Sequence, residues 1–170
     1  MGAMKKSQGS LVAEGYLVLL LGMLLVGLLL RAVPHGLHAL GRLCLQAELD
    51  RVEQDLHARL EARFLFDVEQ VQVAEGPEGT VVRCYGGPGF ARRDYYVKES
   101  PSSRCPVLYR RTWNPQAKKP GVNPISPDHV AVTGFAAKLA GPGRLSWKMT
   151  LIHRKTGVEK EFQEVFSYGP

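Results

Sequence analysis

Apolar residues follow three regimes along this chain. Residues 11–30 read LVAEGYLVLLLGMLLVGLLL, a run of twenty with one charge, Glu14. A helix of that length rises about 30 Å, the thickness of a bilayer's hydrocarbon core. Pro34 and Gly36 then interrupt the run and predict a kink or a short melted stretch. Beyond them the spacing becomes three to four. Leu37, Leu40 and Cys44 share one stripe, which Leu45, Leu49, Val52, Leu56 and Leu60 continue, and Glu48, Asp50, Arg51, Glu53, Asp55 and Arg59 fill the other positions. This predicts an amphipathic helix over about residues 37–63, whose apolar stripe needs a sheet or another subunit to cover it.

After Phe64 the period shifts toward two, with candidate strands over 66–73, 80–85, 94–98, 107–113, 129–135, 145–153 and 160–168. The last two alternate most cleanly. Leu145, Trp147, Met149 and Leu151 are interleaved with Ser146, Lys148 and Thr150, and Lys155-Thr156-Gly157 reads as the hairpin turn that follows. Gly86-Gly87-Pro88-Gly89 and Lys118-Lys119-Pro120-Gly121 mark loops. Residues 114–128, with four prolines, predict an exposed connection. The expected fold class is α+β, a long N-terminal helix packed on an antiparallel sheet. The expected division is 1–9, a leader; 10–33, a transmembrane helix; 34–63, the amphipathic helix; and 64–170, an antiparallel β domain.

Net charge is +6, but its distribution carries more information. Residues 42–75 hold four Arg against eight Asp or Glu, whereas residues 76–170 hold fifteen Lys or Arg against seven acids. A basic domain of this kind suits solvated surface, nucleic acid or an anionic surface, or the acidic helix of a neighbouring copy. Arg92 and Arg93 beside Tyr95 and Tyr96, and Arg110 and Arg111 beside Tyr109 and Trp113, are the candidate nucleic-acid contacts, because aromatics interleaved with Arg stack bases and hold phosphates. Cys84 and Cys105 are a candidate disulfide in an extracytoplasmic domain. That leaves Cys44, for which burial on a helix face is expected.

No catalytic constellation is evident. Asp128-His129 and His153 lack a nearby Ser or Cys motif, His35 and His38 have no third ligand at a suitable step, and the Gly-rich loop is not followed by Gly-Lys-Ser/Thr. The expectation is a protein that is not an enzyme and needs no metal or cofactor.

Lys5 and Lys6 precede the apolar run, which orients its N-terminus toward the cytoplasm and the rest of the chain outward. The sequence after the run, Arg31-Ala32-Val33-Pro34-His35, fits a secretory cleavage site poorly, so a retained segment is expected rather than a removable signal peptide. A plain signal anchor is the competing reading. Glu14 separates the two, since a carboxylate within a membrane helix is costly without a partner.

Gly9 precedes Ser10, and Glu14 is the fifth residue counted from Ser10. A short Lys-containing leader, Gly, then an apolar helix with Glu in that place resembles the precursors of type IV pilins and pseudopilins. Ser10 stands where that family commonly has Phe. The resemblance implies cleavage after Gly9 by a prepilin peptidase, methylation of the new amine at Ser10, and a pairing of Glu14 with the N-terminal amine of an adjacent subunit during filament growth. It implies partners in that peptidase, in other subunits and in the inner membrane of a bacterium. It also implies a single-pass protein with its C-terminal domain extracytoplasmic before assembly. With Met4 as the start, the leader is six residues. The long helix and late hairpin look most like the larger minor members, the J-type or W-type, of a pilus, type II secretion or competence system. The alternatives are an uncleaved bitopic protein with an outer binding domain, and a competence pseudopilin that captures DNA.

Overall fold

The computed structural model describes residues 3–77, 79–86 and 89–169, with side chains from residue 11 onward. Its elements are α1 (Ala3–Asp67), β1 (Gln70–Gly76), β2 (Gly79–Tyr85), β3 (Arg92–Glu99), β4 (Pro106–Trp113), β5 (Gly121–Pro124), β6 (Val130–Gly141), β7 (Arg144–His153) and β8 (Glu159–Ser167). Two compact units divide the chain, Met1–Cys44 and Leu45–Pro170.

In the first unit, α1 passes through Pro34 without a melted stretch, contrary to the break expected there. Proline removes the hydrogen bond to the carbonyl four residues back, at Leu30, and its ring crowds that turn. One residue on, the His35 side chain donates from Nδ1 to the Arg31 carbonyl oxygen at 2.8 Å. Every described side chain of this unit is exposed, including Leu37, Leu40 and Cys44, so the burial expected for Cys44 does not occur. The stripe is covered only from Leu49 onward.

In the second unit, residues 45–67 of α1 bury Leu49, Leu56, Leu60 and Phe64, each at most 2% exposed. At about 1.5–3 kcal/mol per large apolar side chain, these four contribute roughly 6–12 kcal/mol before chain entropy is counted. The i, i+4 series continues to Val68, and this carries the helix past its expected end, so Phe66 and Asp67 are helical rather than the start of a strand.

Two antiparallel sheets share this helix face. One is a meander in the order β1-β2-β3-β4-β5, and the other runs β6-β7-β8. Phe64 joins them. Its ring stacks on Tyr95 of β3 with centroids 5.6 Å apart and on Phe166 of β8 at 5.4 Å, and meets Trp147 of β7 edge-on at 6.0 Å. All four rings are at most 2% exposed. Within β6 a bulge falls between Thr133 and Ala136, where Gly134 takes a φ of +60°. Side-chain parity flips across it: Val130 and Val132 point inward before it, Phe135 and Ala137 after it. The β7–β8 turn forms as expected, with Gly157 at φ +68°. β5 is an addition, four exposed residues ending in Pro124 that pair with β4 inside the stretch expected to be a plain connection.

Helix acids and sheet bases meet within this unit. Lys160 of β8 pairs with Asp50 and Glu53, and His129 and His153 approach the two oxygens of Glu48 at 3.1 and 3.7 Å. His57 lies between Glu61 and Glu164 at 3.6 and 3.8 Å. The acidic helix is therefore met by the chain's own basic domain.

Candidate functional site

The apolar segment is the first candidate. From Leu11 on, α1 is long and apolar enough to cross a membrane, and its leucines between residues 17 and 30 are 53–71% exposed. A run of exposed leucines on this scale is stable only in a nonaqueous medium or against other apolar surfaces. Glu14 lies on the exposed helix surface within the run. The backbone at Gly9 and Ser10 is helical, while the Ser10 side chain lies outside the described ones.

The second candidate is the group of four arginines, and the strands divide it. Neighbours along a strand face opposite ways, so Arg92 and Arg93 part company, as do Arg110 and Arg111. The register sets Arg111 opposite Asp94 and Arg110 opposite Tyr95. Arg92 and Arg111 therefore share the outer face, which also holds Arg83, paired with Asp94 across β2 and β3. Asp94 is 2% exposed; Arg92 Nη2 donates to its Oδ2 at 3.0 Å, while Nε stands 2.9 Å from Oδ1 without hydrogen-bond alignment. The guanidinium of Arg92 lies 5.1 Å from the Trp113 ring and that of Arg111 lies 4.5 Å from Tyr96. Three cations around one carboxylate give this face a positive balance, with aromatic rings beneath them.

Arg93 and Arg110 turn to the helix side. Arg93 is 7% exposed, reaches Asp67 at 3.2 Å and lies over Phe90 at 4.0 Å. Arg110 sits beside Tyr95 and Arg63, and burial followed by the Arg63 charge lowers its pKa. Each candidate pair is thus split, with Arg92 and Arg111 on one face of the sheet and Arg93 and Arg110 on the other. Arg83 was missed because its place is set by strand register, which no local pattern in the sequence reports.

Cys84 and Cys105 are both free. Cys84 is opposite Arg93 at one end of β3, and Cys105 precedes Pro106, which is opposite Glu99 at the other. Some seven residues of extended chain separate those ends, about 20 Å at ~3.3 Å per residue, against the ~7 Å limit between bridged Cα atoms. Cys84 is fully enclosed, and burial pushes its thiol pKa far up.

His129 and His153, distant in sequence, come together with ring centroids 6.3 Å apart on either side of Glu48. Asp128 does not join them, since its carboxylate accepts from Ser102 Oγ at 2.9 Å and Ser100 Oγ at 3.4 Å. His153 Nδ1 and Thr156 Oγ1 share a 2.8 Å hydrogen bond within the hairpin turn. Among the described residues, no three His, Cys, Asp or Glu side chains are grouped to hold a metal ion.

Comparison with family models, with curated proteins and with solved structures gives no match. What stands is the architecture itself: an α+β chain whose long N-terminal helix is apolar enough to span a membrane in its first part and packs on antiparallel sheets in its second, a pilin-like arrangement.

Proposed function

We propose that the chain is a minor pilin or pseudopilin, a subunit of a type IV pilus, type II secretion or competence filament, acting structurally rather than as an enzyme. The observation that carries this reading is one helix with two environments. Its first part exposes a continuous leucine surface containing Glu14, and residues 45–67 of the same helix organise a two-sheet domain. In this reading a prepilin peptidase cuts after Gly9 on the cytoplasmic side and Ser10 becomes the methylated N-terminus. The protein waits as a single-pass inner-membrane subunit, and Glu14 pairs with the terminal amine of an adjacent subunit. Opposite charges attract several-fold more strongly in a low-dielectric surround than in water, so such a pair sets the register of helices sliding past one another.

Intact mass and N-terminal sequencing of protein taken from native membranes test it. A mature chain beginning at Ser10, with one added methyl group, is the expected result, and Glu14→Ala should then abolish assembly while leaving processing intact. A chain still carrying its leader beside an active peptidase would leave an uncleaved bitopic anchor.

A second reading, DNA capture by the outer sheet face, is favoured by Arg92 over Trp113 and Arg111 over Tyr96, with Arg83 opposite Asp94 on the same face. It requires that replacing Arg92 and Arg111 by alanine weaken single-stranded DNA binding and flatten its salt dependence. Binding unchanged by that double substitution would remove it.

A further inference from the structure

Between α1 and the β4–β5 edge lies a cavity of about 140 Å³ lined by Arg59, Arg63, Arg110 and Tyr95, with Leu60 and Ile125 among its apolar walls. Its cations outnumber its acids. Arg59 is matched by Asp55 at 2.8 Å, and Asp67 is shared between Arg63 at 3.9 Å and Arg93 at 3.2 Å. Among the described residues, no carboxylate lies within ion-pair distance of Arg110, and its Nε is buried without a hydrogen bond.

The Tyr95 hydroxyl is a second, independent sign. Tyr95 is 1% exposed and its hydroxyl has no partner, although buried polar atoms are nearly always satisfied. The hydroxyl stands within electrostatic reach of Arg63 and Arg110, both lining the cavity. A partly open cavity with surplus positive charge, lined by residues that carry unsatisfied N–H and O–H donors, lacks an acceptor that is itself negative.

We propose that this cavity binds a phosphate-class oxyanion, held by the guanidinium groups of Arg110, Arg63 and Arg59 and by a hydrogen bond from the Tyr95 hydroxyl. Guanidinium forks match the oxygen spacing of phosphate, and charge-assisted hydrogen bonds strengthen away from bulk water. The cavity is well below the ~300–1,000 Å³ typical of pockets for drug-sized ligands, which limits the occupant to the anion or to a phosphoryl group at the end of something larger. Arg59 and Arg63, one helical turn apart with side chains 61% and 42% exposed, form the entrance. Occupancy would tie residues 56–63 of α1 to the open edge of the five-stranded sheet.

The test uses the full chain in a neutral detergent, titrated with inorganic phosphate and, separately, with micelles carrying phosphatidic acid. Calorimetry and melting temperature are followed against sodium chloride of equal ionic strength. Saturable binding with a rise in melting temperature beyond the chloride control is expected. Saturation by inorganic phosphate assigns the free anion, whereas saturation by the micellar phosphomonoester alone assigns a lipid headgroup. Arg110→Gln should weaken binding at least about tenfold. Tyr95→Phe, which keeps the buried ring, should weaken it severalfold while the unliganded melting temperature holds or rises. The proposal is overturned if both ligands act no differently from chloride, or if both variants bind as the parent does.

Discussion

Truncating Phe64 to alanine removes the helix ring that packs on aromatic side chains of both sheets at once. Phe64 is fully buried, and three aromatic neighbours, Tyr95, Trp147 and Phe166, have centroids 5.4–6.0 Å away. Large-to-small truncation of a buried Phe costs about 3–5 kcal/mol, because the lost transfer energy is joined by that of an uncollapsed cavity. Relaxation is restricted here. The walls belong to three elements, and each of those rings packs on others, as Trp147 does on Phe135 at 4.8 Å. The upper part of the range is therefore expected, about 4–5 kcal/mol, a large share of the ~5–15 kcal/mol that holds a typical domain together. Urea denaturation of the full chain in mild detergent, followed by near-ultraviolet circular dichroism and tryptophan fluorescence, would read it directly. Phe64→Leu should recover more than half of the loss. A cost below about 1.5 kcal/mol for Phe64→Ala, with a cooperative transition retained, would refute the view that Phe64 couples the two sheets.

Two further outcomes follow from single side chains. With a thiol-specific alkylating agent, Cys44 should react first, Cys105 more slowly, and Cys84 only after unfolding, since Cys84 is enclosed and burial raises its thiol pKa; a reductant should leave the melting temperature unchanged, because no bridge joins Cys84 to Cys105. Alkaline titration should show Tyr95 ionising late: burial, with the nearby Cys84 adding to it, pushes it up to about 12 against the opposing pull of Arg93 and Arg110. An acid whose pKa is higher folded than unfolded supports the fold below pH ~10 and loses that support as pH rises toward 12, so stability should fall by roughly 2–3 kcal/mol across that window and less in Tyr95→Phe, as denaturation at stepped pH would measure.

The elements that sequence periodicity located are those whose alternation is unbroken. β7 places Leu145, Trp147, Met149 and Leu151 on one face, all fully buried. β6 was legible only to Phe135, because the bulge at Gly134 shifts inward positions from even to odd numbers and hides the continuation through Ala137. β5 carries no pattern, being four exposed residues, and it exists because β4 offered a free edge. The apolar segment and Glu14 were plain from composition. The arginine geometry was not, because Arg92 and Arg93 are neighbours in sequence yet lie on opposite sides of a sheet. The Arg110 and Tyr95 cavity depends on helix residues some thirty to fifty positions away, and only folding brings them there.

Pro124 at the end of β5 has a consequence for how copies of this protein can meet. A sheet margin with free N–H and C=O groups invites another strand, and such addition is self-propagating. Here one margin is a four-residue strand closed by a residue without an N–H, and another, β8, carries Glu159, Glu161 and Glu164 along nine residues. A second copy docking there would set like charges close together. Addition of a second copy is thereby discouraged at these two margins, so strand-to-strand growth has only β1 and β6 left to start from.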